Sequence, residues 1–272
     1  NKISSQLYSN KIKPEDEWYK SINTISGKIV DFHRFEISSN RYLFPSNGKS
    51  PAELQSIYQS LVEQYVPIKD GNNQPKWKGK IYQGFIFDNG YAFKGYTSDG
   101  EIYDSYKKLP FIPYGKVKNR KVLDIGSNQG FFSFQAAIHG ASEVTGIELQ
   151  KEDYQTANKI KEILQFDNVS FENTDAVKYV MNTKDKYSLI IANSVIHQIY
   201  RNLEGPKCDA FLRKISDSCE YFAFESPVNH PTMTISLSEI AFKLSRYFKT
   251  VRLLSVYDAY SSGYRANFVC YS

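Results

Sequence analysis

The residues best placed to do chemistry fall in four short segments of the second half of the chain. The first is VLDIGSNQGFF at 122–132, which reads as a buried strand, an acidic residue, two glycines four apart and then a helix. Gly126 and Gly130 lack a Cβ, so main chain there can pass close to a bound ligand. Asp124 falls at the carboxyl end of the strand, where it can face an ammonium group or orient the loop. A dinucleotide loop would read G-x-G-x-x-G and would set a pyrophosphate on the helix N-terminus. Here Asn128 stands where the middle glycine would be, and the outer glycines are closer together than that pattern requires. A carboxylate beside a phosphate is also unfavourable. The loop fits a cationic nucleoside carrying an amino acid better than it fits a nicotinamide dinucleotide.

The second candidate is Glu148, at the end of the next strand, where a carboxylate can accept both hydroxyls of a ribose. The third is Asn173-Thr174-Asp175-Ala176, in which Asp175 can accept from an adenine amine; as a plain helix N-cap it is equally well explained. The fourth is Asn193-Ser194-Val195-Ile196-His197, facing the crevice where strand order reverses in an open α/β sheet. His197 is the candidate general base, with Tyr200 and Glu225 as further crevice residues; the competing reading of His197 is a loop histidine bonded to backbone. The competing readings are a plain strand-end carboxylate for Glu225 and a surface charge for Arg265, though both should point toward the same rim.

These segments need a scaffold that presents strand ends side by side. From residue 120 the sequence alternates short apolar runs with helical periodicity: VLDIG, EVTGIEL, VSFEN, YSLIIAN and YFAFES as strands, separated by helices. TVRLLSVY and RANFVCYS close the chain across a turn too short for a parallel crossover, so that pair is antiparallel. The fold class expected is α/β, a doubly wound, mainly parallel sheet. Ahead of it, PAELQSIYQSLVEQY has helical spacing with Ser50 and Glu53 as a capping box, and Asp88-Asn89-Gly90 marks a hairpin. Residues 27–44 alternate loosely as strand or hairpin, and 45–51 and 67–79 read as loops. The division expected is 1–110 as a substrate-side cap and 111–272 as the cofactor-binding domain.

VLDIGSNQG, Glu148, TDA and IIANSVIH together resemble the successive motifs of class I S-adenosylmethionine-dependent methyltransferases. The likeness covers about residues 120–272 and extends to that family's antiparallel last two strands. It implies a seven-stranded Rossmann-like sheet and S-adenosylmethionine as cofactor, with S-adenosylhomocysteine as product. Position by position it implies that Asp124, Gly126, Ser127, Asn128 and Gly130 surround the methionine part. Glu148 would hold the ribose with Leu149 beside the adenine, Asp175 and Ala176 the adenine edge, and Asn193 and Ser194 the reacting methyl. Asn128 departs from the family's glycine, and asparagine tolerates a positive φ. GYTSDGEIYDSYKKLPF resembles the lead-in of tRNA wobble-uridine carboxymethyl-transferring members.

Composition bounds what the acceptor can be. Residues 1–120 hold 18 Lys and Arg against 12 Asp and Glu, so the front is basic while the remainder is close to neutral. Basic clusters stand at Lys76, Lys78 and Lys80, and again at Lys107, Lys108, Lys116, Lys118, Arg120 and Lys121. They read either as a surface for an anionic partner or as solvated lysines. The acceptor expected is a small or saccharide-like molecule methylated at oxygen; the alternatives are an RNA such as tRNA, or a non-catalytic module on the same fold. Three cysteines without C-x-x-C spacing and four scattered histidines argue against a disulfide framework or a metal site. With no apolar run long enough to span a bilayer, a cytoplasmic setting without membrane contact is the expectation.

Overall fold

The computed structural model describes residues 42–64, 81–95, 105–203, 205–228, 236–259 and 263–271. Most of the strand expected at 27–44, the loop at 67–79 and Lys76, Lys78 and Lys80 lie outside the described residues. The front begins with α1 (Pro51–Gln64), whose capping box is formed: Ser50 N donates to Glu53 Oε2 at 2.8 Å and Glu53 N to Ser50 Oγ at 3.3 Å. The hairpin β1 (Phe85–Ile86) and β2 (Ala92–Phe93) turns through Gly90 at φ 84°. A single helical turn, α2 (Ser105–Lys108), and two 3₁₀ turns at Leu109–Phe111 and Tyr114–Lys116 lead into the sheet. These three turns lack the length for a periodic signal, so nothing in the residue pattern announced them.

The expected alternation follows: β3 (Lys121–Ile125), α3 (Phe131–Ile138), β4 (Glu143–Glu148), α4 (Lys151–Leu164), β5 (Val169–Asn173), α5 (Ala176–Asn182), β6 (Tyr187–Asn193), α6 (Ile196–Asn202), α7 (Gly205–Ser218), β7 (Cys219–Val228), α8 (Leu237–Ser245), β8 (Thr250–Ala259) and β9 (Gly263–Tyr271). The seven strands lie in the order β5-β4-β3-β6-β7-β9-β8. Pairs from β5 to β7 are parallel, while β9 is antiparallel to both β7 and β8. Strand order reverses at β3, which pairs with β4 on one side and β6 on the other. Carboxyl ends of the strands on either side of that reversal frame a crevice.

Alternation along each strand sends side chains to two cores. Phe222 and Phe224 of β7 join α7 and α8 on one face, while Ala223 joins α3 and α4 on the other. The second core also contains Phe44, Leu54, Phe85, Phe87 and Phe93 from the front. Phe85 stands 5.7 Å from the Phe131 ring and 6.3 Å from Phe134, so front and sheet share one apolar interior.

Candidate active site

The loop between β3 and α3 takes its shape from main chain that few residues tolerate. Gly126, Asn128 and Gly130 have φ values of 68°, 51° and 86°, so asparagine does adopt the left-handed conformation at the divergent position. Gly126 N and Ser127 N both donate to Ile147 O, at 2.8 and 2.9 Å, tying the loop to β4. The reason for glycine differs from the one expected. A Cβ on Gly126 would lie 2.7 Å from Val195 Cγ2, and one on Gly130 would lie 2.5 Å from Phe171 Cζ. Protein side chains, with the positive φ, exclude a side chain at both positions.

Asp124 is 1% exposed and accepts a hydrogen bond from Ser133 Oγ of α3 at 2.7 Å. Burial pushes its carboxyl up to about 7, with the Ser133 bond opposing and the neighbouring Glu148 charge adding to the rise. The Ser133 bond ties the end of β3 to the first turn of α3. Glu148 is also buried, which raises its pKa, although backbone donors hold it partly down. Asn128 N donates to its Oε2 and Gln150 N to its Oε1, each at 2.8 Å. Each oxygen keeps a second lone pair, so a diol can still be accepted. Asn173 Nδ2 donates to Glu148 O at 2.8 Å and Leu149 O at 3.0 Å, clamping this lip, a role that its place in the third segment did not reveal. Leu149 itself is 61% exposed, an apolar platform beside the carboxylate.

Asp175 caps α5, its Oδ1 accepting from Lys178 N at 2.8 Å, and Ala176 opens that helix. The other Asp175 oxygen faces no described donor. Across the crevice, Ser194 has φ 59° and its N donates to Glu225 O at 3.2 Å. Two buried polar atoms in the crevice segments, Ser127 Oγ and Asn193 Nδ2, have no hydrogen-bond partner among the described residues. Buried donors left open in this way are rare in folded proteins, and they fit a site built for a polar ligand.

Glu225 and Arg265 are not on an open rim. Glu225 is fully buried on the Ala223 face of β7 and pairs with Lys108 Nζ at 2.9 Å. Arg265, with a side chain 11% exposed, lies 3.5 Å from Glu225 Oε1 and donates to Ser194 Oγ at 2.9 Å. Ser194 Oγ donates to Glu225 Oε2 and accepts from Lys108 Nζ at 3.2 Å. Burial alone would raise the Glu225 pKa; Lys108 and Arg265 outweigh it and hold the carboxyl down to about 2. So firmly ionised a carboxylate, with both oxygens engaged, is a poor general base. Lys108 was visible in the sequence only as one of a basic run. Its neighbours in that run are engaged too: Arg120 with Glu220, Lys121 with Glu143 and Asp185, and Lys116 over the Tyr221 ring.

His197 is 9% exposed and sits at the second position of α6. Tyr200 lies elsewhere. It lines a small apolar pocket with Phe224, Ser226, Ile240 and Lys243, on the opposite face of β7 from Glu225. Burial raises its hydroxyl pKa, so it does not supply a proton acceptor to the crevice.

The methyltransferase domain family matches residues 116–249, a span that contains the crevice and its four segments. Residues 116–249 form a methyltransferase domain. The curated relatives that match are methyltransferases too, and together with the domain match they make this chain a methyltransferase. It is 24% identical over 221 residues to a ribosomal protein L11 methyltransferase of Aquifex aeolicus, covering 75% of this chain and 79% of that one. It is 25% identical to an uncharacterized RNA methyltransferase of Mycoplasma mobile, covering 64% of this chain and 51% of the other. Among solved structures it resembles the bifunctional kinase-methyltransferase WbdD, with TM-score 0.60, 21% identity and 78% and 40% of the two chains covered. It also resembles the N-terminal domain of EvdMO1 crystallised with SAH and D-fucose, with TM-score 0.55, 12% identity and 81% and 97% covered. These likenesses establish the fold.

Proposed function

We propose that the methyltransferase binds S-adenosylmethionine across the carboxyl ends of β5, β4, β3 and β6. It would pass the methyl group to an oxygen of a small or saccharide-like acceptor entering over Asn193 and Ser194. The observation that carries this reading is the crevice at the strand-order reversal. It is lined by Glu148 with spare lone pairs, exposed Leu149 and the partnerless Asn193 Nδ2. A sulfonium donor supplies an already activated methyl when bound. The chain's own residues then have to orient two reactants and exclude water, effects worth about 7–11 kcal/mol at best. Glu148 and Leu149 would fix the nucleoside, while Asp175 meets the adenine edge alongside its capping bond. The loop at 126–130 would border the methionine part, and His197 would take the acceptor hydroxyl proton. Lys108 and Arg265 hold Ser194 in its strained conformation beside the methyl path.

The dinucleotide alternative meets an obstacle, because the first amide of α3, Phe131 N, already donates to Gln83 Oε1 at 3.1 Å. A saccharide acceptor is supported by the EvdMO1 neighbour, whose structure was obtained in the presence of SAH and D-fucose. An RNA acceptor is supported by the Mycoplasma mobile relative and by the basic front. Isothermal titration with S-adenosylhomocysteine tests the cofactor; the expected outcome is one-to-one binding, and silence at millimolar ligand would remove the reading. Mass increments of about 14 Da on a panel of sugars and tRNA would identify the acceptor. An RNA substrate would also bind with steep salt dependence.

A further inference from the structure

The loop at 126–130 is braced from outside the sheet. Gln83, 4% exposed and two residues before β1, accepts the Phe131 backbone N–H through its side-chain carbonyl at 3.1 Å. Gln129, fully buried within the loop, accepts the backbone N–H groups of Tyr82 and Gln83, each at 3.0 Å. Its Nε2 donates to Asp153 Oδ1 of α4 at 3.2 Å. Each glutamine therefore accepts from the other's segment, and the front is stitched to the loop at two points. The path of the front is itself constrained. A Cβ on Gly95 would lie 2.2 Å from Gly84 N and 2.3 Å from the Gln83 carbonyl carbon. The donors Gln83 N and Phe131 N are buried, where an N–H left without an acceptor is costly.

We propose that Gln83 and Gln129 are positioning residues of the cofactor site, through which the front segment sets the shape of the loop at 126–130. Neither touches the reacting atoms. Gln83 holds the first turn of α3, Gln129 ties the loop next to Asn128 to the front at Tyr82 and Gln83, and Asn128 N in turn reaches Glu148. The front is thus part of the cofactor site as well as a cover for the acceptor. This inference rests on the S-adenosylmethionine reading above.

The test compares S-adenosylhomocysteine affinity of the full chain with that of Gln83→Leu, Gln83→Asn and Gln83→Glu, with thermal midpoints measured in parallel. Gln83→Glu keeps an acceptor oxygen at the same reach and at the positive end of a helix, so affinity should stay within about twofold of the parent. Gln83→Leu removes the acceptor and Gln83→Asn shortens it. Each should weaken binding about fivefold to tenfold, the worth of one buried hydrogen bond. Equal affinity in Gln83→Asn and the parent overturns the proposal even if Gln83→Leu does not fold. So does a Gln83→Glu chain that loses as much as Gln83→Asn, since bulk alone would then explain the site. A parent chain that ignores the ligand defeats the cofactor reading itself, a separate and recognisable result.

Discussion

Lys108 and Glu225 meet although 117 residues separate them, and neither is left in water to soften the consequences of losing the other. A buried ion pair contributes little net stability, but breaking one side of it leaves a charge stranded, at about 3–5 kcal/mol. Arg265 still faces Glu225 in Lys108→Met, so that variant should cost the lower end of this range, about 3 kcal/mol, in urea unfolding. Adding Glu225→Gln should return part of it, since Arg265 then loses its carboxylate. Additive losses in the double variant would show that the pair is not coupled. Asp124 works in the opposite sense. Its folded pKa is raised to about 7, so its contribution is present at low pH, where both states are protonated. It is lost as pH rises past the ordinary carboxylate range toward 7. Glu225, depressed to about 2, contributes above the ordinary range and loses its contribution only as pH falls through that window. Between pH 5 and 8 Glu225 is silent, so the difference in stability between Asp124→Asn and the parent reports Asp124 together with its coupling to Glu148. That difference should grow in favour of the variant as pH rises; a flat difference would mean that Asp124 is already ionised at pH 5.

Asp175 poses an element-scale question, because one carboxylate could serve both the start of α5 and an adenine. Asp175→Asn keeps an acceptor for Lys178 N and a good capping residue, so stability should move by only a few tenths of a kcal/mol, roughly. An adenine amine would then face an amide donor, and S-adenosylhomocysteine should bind more weakly. Unchanged affinity would confine Asp175 to capping. The strands of this fold were legible because VSFEN and YSLIIAN are short apolar runs with clear ends, and both emerged at 169–173 and 187–193. Capping chemistry was legible for the same reason: Ser50 and Glu53 interact over three residues. What the local pattern did not carry was anything decided across the sheet. The seven-residue helix α6 was missed, and Tyr200 on it turns to the α7 and α8 side. Gly126 looked like room for a ligand, yet its neighbour is Val195, just beyond β6 and ahead of α6. Gly126→Val thus collides with the fold before any ligand arrives, and it should lower the thermal midpoint together with cofactor affinity. Val195→Ala in the same chain should restore part of the midpoint, though not the share due to the positive φ.

At the scale of the whole molecule, the described front and the sheet behave as one body. Phe44 and Phe85 lie against α3, and Gln135 Nε2 of that helix donates to Tyr42 O at 2.8 Å. Asn47 Nδ2 donates to Leu164 O at 2.8 Å, closing the last turn of α4. Helices α3 and α4 therefore meet front residues where a free-standing Rossmann-like domain would meet water. Removing the front would expose Phe131 and Phe134, each worth about 1.5–3 kcal/mol in burial, and would leave the Phe131 amide and the Gln129 carbonyl without partners. It would also remove Lys108 from Glu225. Those losses together rival the 5–15 kcal/mol that holds a typical domain folded. A chain cut to residues 111–272 should consequently lack a cooperative thermal transition and bind hydrophobic dye. The full chain should melt in a single step. If the shortened chain melts sharply and binds S-adenosylhomocysteine as the parent does, the boundary near residue 110 separates two independent units, and the bracing by Gln83 contributes nothing to the site.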